Sequence, residues 1–262
     1  MKIIRLFTLA GALLCSAVSN AAIVDVTVTF ENTAPTNSVS FAPVHVGFNN
    51  GTFDSFDINT AAGPEIISIA EGGTGSAWRP AFAAADPTAV LGSGPIGAGG
   101  PILPGATRSA TFRVDTDVNQ FFTFAGMVIP SNDLFIGNDN PTGLRLFDND
   151  GNLLLSELNQ TAAQIWDAGS EVANVANAAF LVNGNNDLRV DEGGVVTFEF
   201  SELATYDGEQ TAAGYTFDSS SIASDTLVGR FSFSSTAVPE PGSASLLGLA
   251  AIGMVLRRRR SA

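Results

Sequence analysis

Residues 23–30 read IVDVTVTF. Apolar and polar positions alternate, so Val24, Val26, Val28 and Phe30 share one face of an extended chain, and Asp25, Thr27 and Thr29 share the other. A period of two built from β-branched residues predicts a strand with one face on a core and one in water. The same signature recurs at 44–48, 109–114, 121–129, 144–147, 195–200 and 227–233, and clusters of Gly, Asn, Asp and Pro punctuate the intervals. Asp150-Gly151, between Phe147 and Leu153, marks a hairpin turn.

Helical patterning is sparse. Residues 60–71 hold Ile66, Ile67 and Ile69 and stop at Gly72-Gly73, and 77–85 is short and alanine-rich. Residues 91–105 are dominated by Gly and Pro and predict a loop; 201–224 are polar and predict another before the last strand. The expected fold is all-β, an antiparallel β-sandwich of about eight strands with a short helical insertion after the second.

Both ends are set apart from this pattern. Lys2 and Arg5 precede an apolar run, and Ser19-Asn20-Ala21 has small residues at the cleavage positions, so 1–21 reads as a secretory signal peptide. The one cysteine, Cys15, lies inside it after Leu14, which argues against lipidation, and the processed chain then has no thiol for disulfides or metal. At the other end, Val238-Pro239-Glu240-Pro241-Gly242 is followed by an apolar stretch over 244–256 and by Arg257 to Arg260. That stretch is short for a permanent span, which needs roughly 20 residues, and the arginines place it with the basic end in the cytoplasm.

This tail resembles the PEP-CTERM sorting signal. The resemblance implies a transient transmembrane helix, removal by an exosortase, and a final place at the cell surface or in the extracellular matrix. The organisation expected is a signal peptide at 1–21, a sandwich domain at 22–236 (core 22–200, then a loop and last strand over 201–236), and the sorting signal at 237–262. Without both ends, 6 basic residues face 25 acidic ones, a net charge near −19. Such a surface repels nucleic acid and favours cations.

Catalytic chemistry has little to work with. A triad hydrolase needs a histidine base, and the only histidine, His45, sits in an alternating stretch that points it outward from a strand. An acid pair is enough for a glycosidase, but with 25 acids scattered through turns some pair always looks suggestive. The expectation is a protein that is not an enzyme. The alternatives are a secreted carbohydrate-active enzyme using an acid pair and a passive structural matrix component.

Metal binding is the stronger signal. Asp133 follows Ser131-Asn132, and Asp167 and Glu171 flank Ala168-Gly169-Ser170. In an extended strand, Asp167 and Glu171 lie about 13 Å apart, at ~3.3 Å per residue. They share an ion only if the chain folds back at Gly169, the residue that permits it. An ordinary turn fits the same spacing.

The run from Pro130 to Gly137 (PSNDLFIG), followed by Trp166 to Glu171 (WDAGSE), resembles the N-terminal spondin domain. Pro43 to Asp54 and Ile69 to Gly73 resemble its bacterial members, so the likeness runs over about 22–200. It implies a sandwich like calcium-dependent membrane-docking modules, with Ca2+ held by Asp133, Asp167 and Glu171 at one end. It also implies work in adhesion or binding, to an extracellular polysaccharide or a surface protein. Two departures stand out: Glu171 lies where the animal pattern has Asp, and Leu134 where it has Trp. Asp148 to Asn152 looks superficially like a calcium loop but lacks the terminal glutamate of the twelve-residue pattern, and reads as a turn. Asp139 reads as turn chemistry or a peripheral ligand through water. Trp166 is expected in the core, and the run Phe121-Phe122-Thr123-Phe124 in a strand buried on both sides.

Overall fold

The computed structural model describes residues 23–238. The alternating stretch becomes strand β1 (Ile23–Asn32), in which every second side chain from Val24 to Asn32 is buried. β1 lies in the middle of a four-stranded antiparallel sheet with the order β4 (Thr107–Asp115), β1, β10 (Leu227–Ala237), β7 (Glu157–Thr161). Register is fixed by the buried pairs Val26 opposite Phe112, Val28 opposite Phe233 and Phe30 opposite Phe231. A slip of one residue would turn this whole apolar row to solvent. The last strand is thus central to the sheet, and 201–236 is integral to the fold.

The second sheet is also antiparallel, with the order β2 (Ser40–Phe41), β5 (Phe121–Ile129), β6 (Leu134–Gly137), β8 (Trp166–Asp167), β9 (Thr197–Phe198), and β3 (His45–Asn49) paired to β5. The two sheets close over rings from both. Phe30 meets Phe231 at 4.8 Å and Phe41 at 5.1 Å, and Phe124 meets Phe231 at 4.6 Å. Gly229 is required here: a Cβ on it would stand 2.9 Å from the Phe30 ring, beside a bulge in the β10–β7 ladder.

The outer face of the second sheet is not in water. Helices α1 (Pro64–Ala70) and α2 (Trp78–Ala85) cover it, falling inside the stretches expected to be helical. They form a second apolar cluster in which Phe53 stacks on Phe82 at 4.1 Å, and Phe56 packs on Phe135 at 5.0 Å and on Trp166 at 5.1 Å. Being sandwiched explains why β5 is buried along almost all its length. Phe122, Phe124 and Val128 face the sandwich interior, and Ala125 faces the helices.

Other expectations need correction. Residues 144–147 make only isolated bridges, Phe121 to Arg145 and Phe147 to Leu153, because the turn at Asp148–Gly151 leaves no length for a ladder. That turn is held by the Asp148 carboxylate, which accepts from the Asp150 and Asn152 N–H groups, as the turn reading requires. The helices follow β3, which occupies the second expected strand segment at 44–48; the two-residue β2 before it was not expected. Ten strands are described instead of about eight, because two-residue strands such as β2, β8 and β9 carry too few residues to show a period. Among the described residues no helix is long and apolar enough to cross a membrane. The signal peptide, and the apolar stretch expected to anchor the chain transiently, lie outside the described residues.

His45 points away from the sandwich interior, as its position in the alternation predicts, but the helical layer covers it. It is 1% exposed, 6.0 Å from Trp78, and a Cβ on Gly75 would stand 2.5 Å from its ring. Neither ring nitrogen completes a hydrogen bond. Burial pushes its pKa down to about 4 from 6.5, the Gly73 backbone offsets this in part, and the charge of Arg79 adds to the depression. The unfolded chain therefore binds this proton more readily, so stability from this group falls as pH drops from 6.5 towards about 4. In chemical denaturation across that window, His45→Phe should lose this dependence relative to the parent. Parallel pH profiles for the two proteins would contradict the assignment.

Candidate metal centre

Three loops meet at one end of the second sheet. The first, Pro130 to Asp133, joins β5 to β6. Its Ser131 hydroxyl donates to the Val128 carbonyl at 2.5 Å and accepts from the Leu134 N–H at 3.2 Å, which closes the loop tightly. Asp133 is thereby carried into the interior and is 0% exposed. The second loop follows β8. Trp166 faces the helices, so its strand neighbour Asp167, paired with Leu134, faces the opposite side, towards Asp133. The third is a 3-10 helix, Phe200–Tyr206, entered from β9.

The fold-back at Gly169 is present. Asp167 Oδ1 accepts the Gly169 N–H at 2.7 Å, and Gly169 takes φ +61°, with Val195 N only 2.6 Å from where a Cβ would stand. Past this turn, Asp133 Oδ2 accepts from Ser170 N–H at 2.8 Å, Ser170 Oγ at 3.0 Å and Glu171 N–H at 2.9 Å. One carboxylate oxygen thus ties the loop after β5 to the loop after β8. The other, Oδ1, has no partner.

One carboxylate oxygen each from Asp133, Asp167 and Glu202 lies within 4.8 Å of the others. The sequence brings forward Asp133, Asp167 and Glu171, and the structure gathers the first two with Glu202 as the third. Glu171 is adjacent but turned aside: its main-chain N–H serves Asp133, while its side chain runs to Asn132 and Asn177. Glu171 Oε2 and Asn177 Oδ1 are both buried without partners. Asn132 links this side to the third loop, accepting from Tyr206 OH at 2.7 Å and from Asn174 N–H at 2.9 Å. Asp139 lies apart from the cluster, accepting from the Ile58 N–H at 3.3 Å.

Sequence reading missed Glu202 by taking 201–224 as a polar loop. A signal was present: Phe200, Leu203 and Tyr206 recur every three residues, the repeat of a 3-10 helix with one face on a core. Leu203 and Tyr206 are buried, and the helix they anchor delivers Glu202 to the cluster.

The electrostatics are one-sided. Burial pushes Asp167 up to about 7, and the charge of Asp133 adds to it. Burial likewise pushes Glu202 up to about 8, reinforced by Asp167 and Asp133. Asp133 is raised by burial, with the Glu171 and Ser170 donors pulling the other way. None of the ion pairs among the described residues involves these three acids. Arg189, whose charge reaches Glu171, is already held by Glu71 at 2.5 Å. Buried carboxylates without a counter-charge are costly, and they are relieved either by protons or by a cation. Asp133 Oδ1 and Glu202 Oε2 are buried acceptors with no donor, which is the arrangement a bound cation completes. An all-oxygen set suits a hard ion such as calcium and not a thiolate- or imidazole-seeking one.

Residues 237–260 match the PEP-CTERM protein-sorting motif. That motif marks an exported chain that an exosortase sorts to the cell surface or the extracellular space. No curated protein matches the chain. The motif starts where the sandwich ends: Ala237 is the last residue of β10, opposite Val24, and the Val238 N–H donates to the Ile23 carbonyl at 3.0 Å.

A pH dependence follows from the raised acids. Folding holds protons on Asp167 and Glu202 that the unfolded chain releases near the ordinary carboxyl values of 3.8 and 4.5. In chelator, their contribution to stability is therefore full below those values and is lost as pH rises through about 7 and about 8. Above pH 6.5 His45 no longer titrates against this trend. Denaturation in EDTA should show stability falling between pH 6.5 and 8.5, and Glu202→Gln should flatten the fall. A rise across that range, or the same slope in the variant, would contradict the buried-acid assignment.

Proposed function

We propose that this exported, exosortase-sorted protein is a binding or adhesion module of spondin type whose loops are fastened at one end by a calcium ion. Asp133, Asp167 and Glu202 hold the ion, and Glu171 stands beside them. The observation that carries the reading is the pair of buried, donorless oxygens, Asp133 Oδ1 and Glu202 Oε2, in a cluster that no basic residue among the described residues neutralises. The ion replaces the missing counter-charge and joins three loops distant in sequence. The partner belongs outside the cell and is an extracellular polysaccharide or a surface protein.

We read the protein as a binder, not an enzyme. Three acids that each turn one oxygen to within 4.8 Å of the others, two of them with a buried oxygen that lacks a donor, suit a single shared ion.

Calcium bound only by the folded state raises its melting temperature. With a dissociation constant of ~10⁻⁴ M, typical at the tight end of extracellular modules, 10 mM calcium adds roughly 2.7 kcal/mol, or roughly 5–10 °C for a domain this size. Asp167→Asn and Glu202→Gln should each lose most of that increment, and Glu171→Gln should keep a larger share. An unchanged melting curve of the parent protein in calcium would refute the reading.

A further inference from the structure

A second site lies on the other side of Trp166, between the edge strands of the two sheets. β7 ends one sheet and β9 ends the other, and a cleft of about 190 Å³ opens between them, floored by Phe124 and Leu158. Its wall is an aromatic pair: Phe198 lies on Trp166 at 3.6 Å with an interplanar angle of 24°. Trp166 is locked by its Nε1 donating to the Gly137 carbonyl at 3.0 Å, so it backs Phe198 rigidly. Phe198 itself is 48% exposed, a large apolar ring left in water beside a cleft.

The polar groups around the ring are fixed, with one atom of each left over. Gln164 accepts from the Thr161 N–H through Oε1 at 2.9 Å, leaving its Nε2 as a donor without a partner. Asp139 accepts from the Ile58 N–H through Oδ1, leaving Oδ2 as an acceptor. Gln160, 5% exposed, donates to the Asn159 carbonyl, leaving Oε1 as a second acceptor. Among the described residues no Lys, Arg or His lines the cleft, and the chain carries a net charge of −14. An anionic ligand is therefore disfavoured. The volume is below the ~300 Å³ at which sites for drug-sized ligands begin, so it suits a single ring.

We propose that this cleft binds one neutral hexose unit of a glycan, with the C–H face of the sugar on Phe198 and its hydroxyls on Gln164, Asp139 and Gln160. An apolar ring face bounded by hydroxyls matches an apolar ring bounded by separate donors and acceptors. The proposal rests on the binding-protein reading above but uses none of the three clustered acids, so it stands or falls apart from the ion.

The test uses the secreted, processed protein with neutral gluco-, manno- and galacto-configured tetrasaccharides, polygalacturonate as the anionic control, and N-acetylphenylalanine amide as a stand-in for a protein side chain. Binding is read by calorimetry and by intrinsic fluorescence, since Trp166 lies in the cleft wall and Trp78, at the start of α2, is fully buried. At least one neutral tetrasaccharide should bind saturably. Phe198→Ala should weaken it about tenfold, Phe198→Tyr should retain it, and Gln164→Ala should weaken it less than Phe198→Ala. Binding that persists in Asp167→Asn while the calcium response disappears supports a site independent of the ion. The proposal is overturned if no neutral tetrasaccharide binds, if polygalacturonate or the phenylalanine amide binds in preference, or if Phe198→Ala binds as the parent does.

Discussion

Asp133 is the constraint on which the functional end of this molecule depends. It is a fully buried carboxylate whose two oxygens have opposite circumstances. Oδ2 is saturated by three donors from the loop after β8, and Oδ1 has none. The first oxygen makes Asp133 a structural tie that loop packing alone would not supply. The second is left without a donor, and the charge of Asp133 in turn helps to raise Asp167 and Glu202 beside it. A fold that places three acids together without a base is strained electrostatically unless a cation or protons are bound.

The rest of the architecture serves to hold that tie. The four-stranded sheet pairs the first and last described strands, so the two ends of the sandwich are stitched together and the sorting motif begins at the sheet margin. The six-stranded sheet is packed on both faces, by the sandwich core and by the α1–α2 layer. Its strands are therefore fixed in rotation, and alternation along β8 sends Trp166 and Asp167 to opposite sides. One two-residue strand thereby separates an aromatic wall from an acidic cluster. The two sites share a backbone and no side chain.

Much of the sandwich was legible because long strands with one dry face write a period of two into the sequence. β1 and β10 are clear for that reason, and β5, dry on both faces, shows instead as an almost continuous apolar run. β7, with Glu157, Asn159 and Gln160, is a polar edge strand that hides the pattern, and the two-residue strands are too short to carry one. The helical layer was read as a local insertion, because nothing local tells which sheet face a pair of short helices will cover. At the site, Asp167 was legible through the glycine turn that follows it, and Asp133 only through the resemblance of its loop, 130–137. Glu202 was not, since its partners are about 35 and 70 residues away and only the threefold spacing of Phe200, Leu203 and Tyr206 betrays its helix. Glu171 illustrates the converse. Its spacing from Asp167 is right for a shared ion, but the turn commits its N–H to Asp133 and swings its side chain towards Asn132 and Asn177.

The most direct measurement is anomalous diffraction from crystals of the domain grown in calcium and in a lanthanide substitute. The account predicts one strong peak bounded by oxygens of Asp133, Asp167 and Glu202, at the roughly 2.3–2.6 Å that calcium takes from oxygen. A saturated crystal with no peak there, and with the three acids protonated or splayed apart, would contradict it.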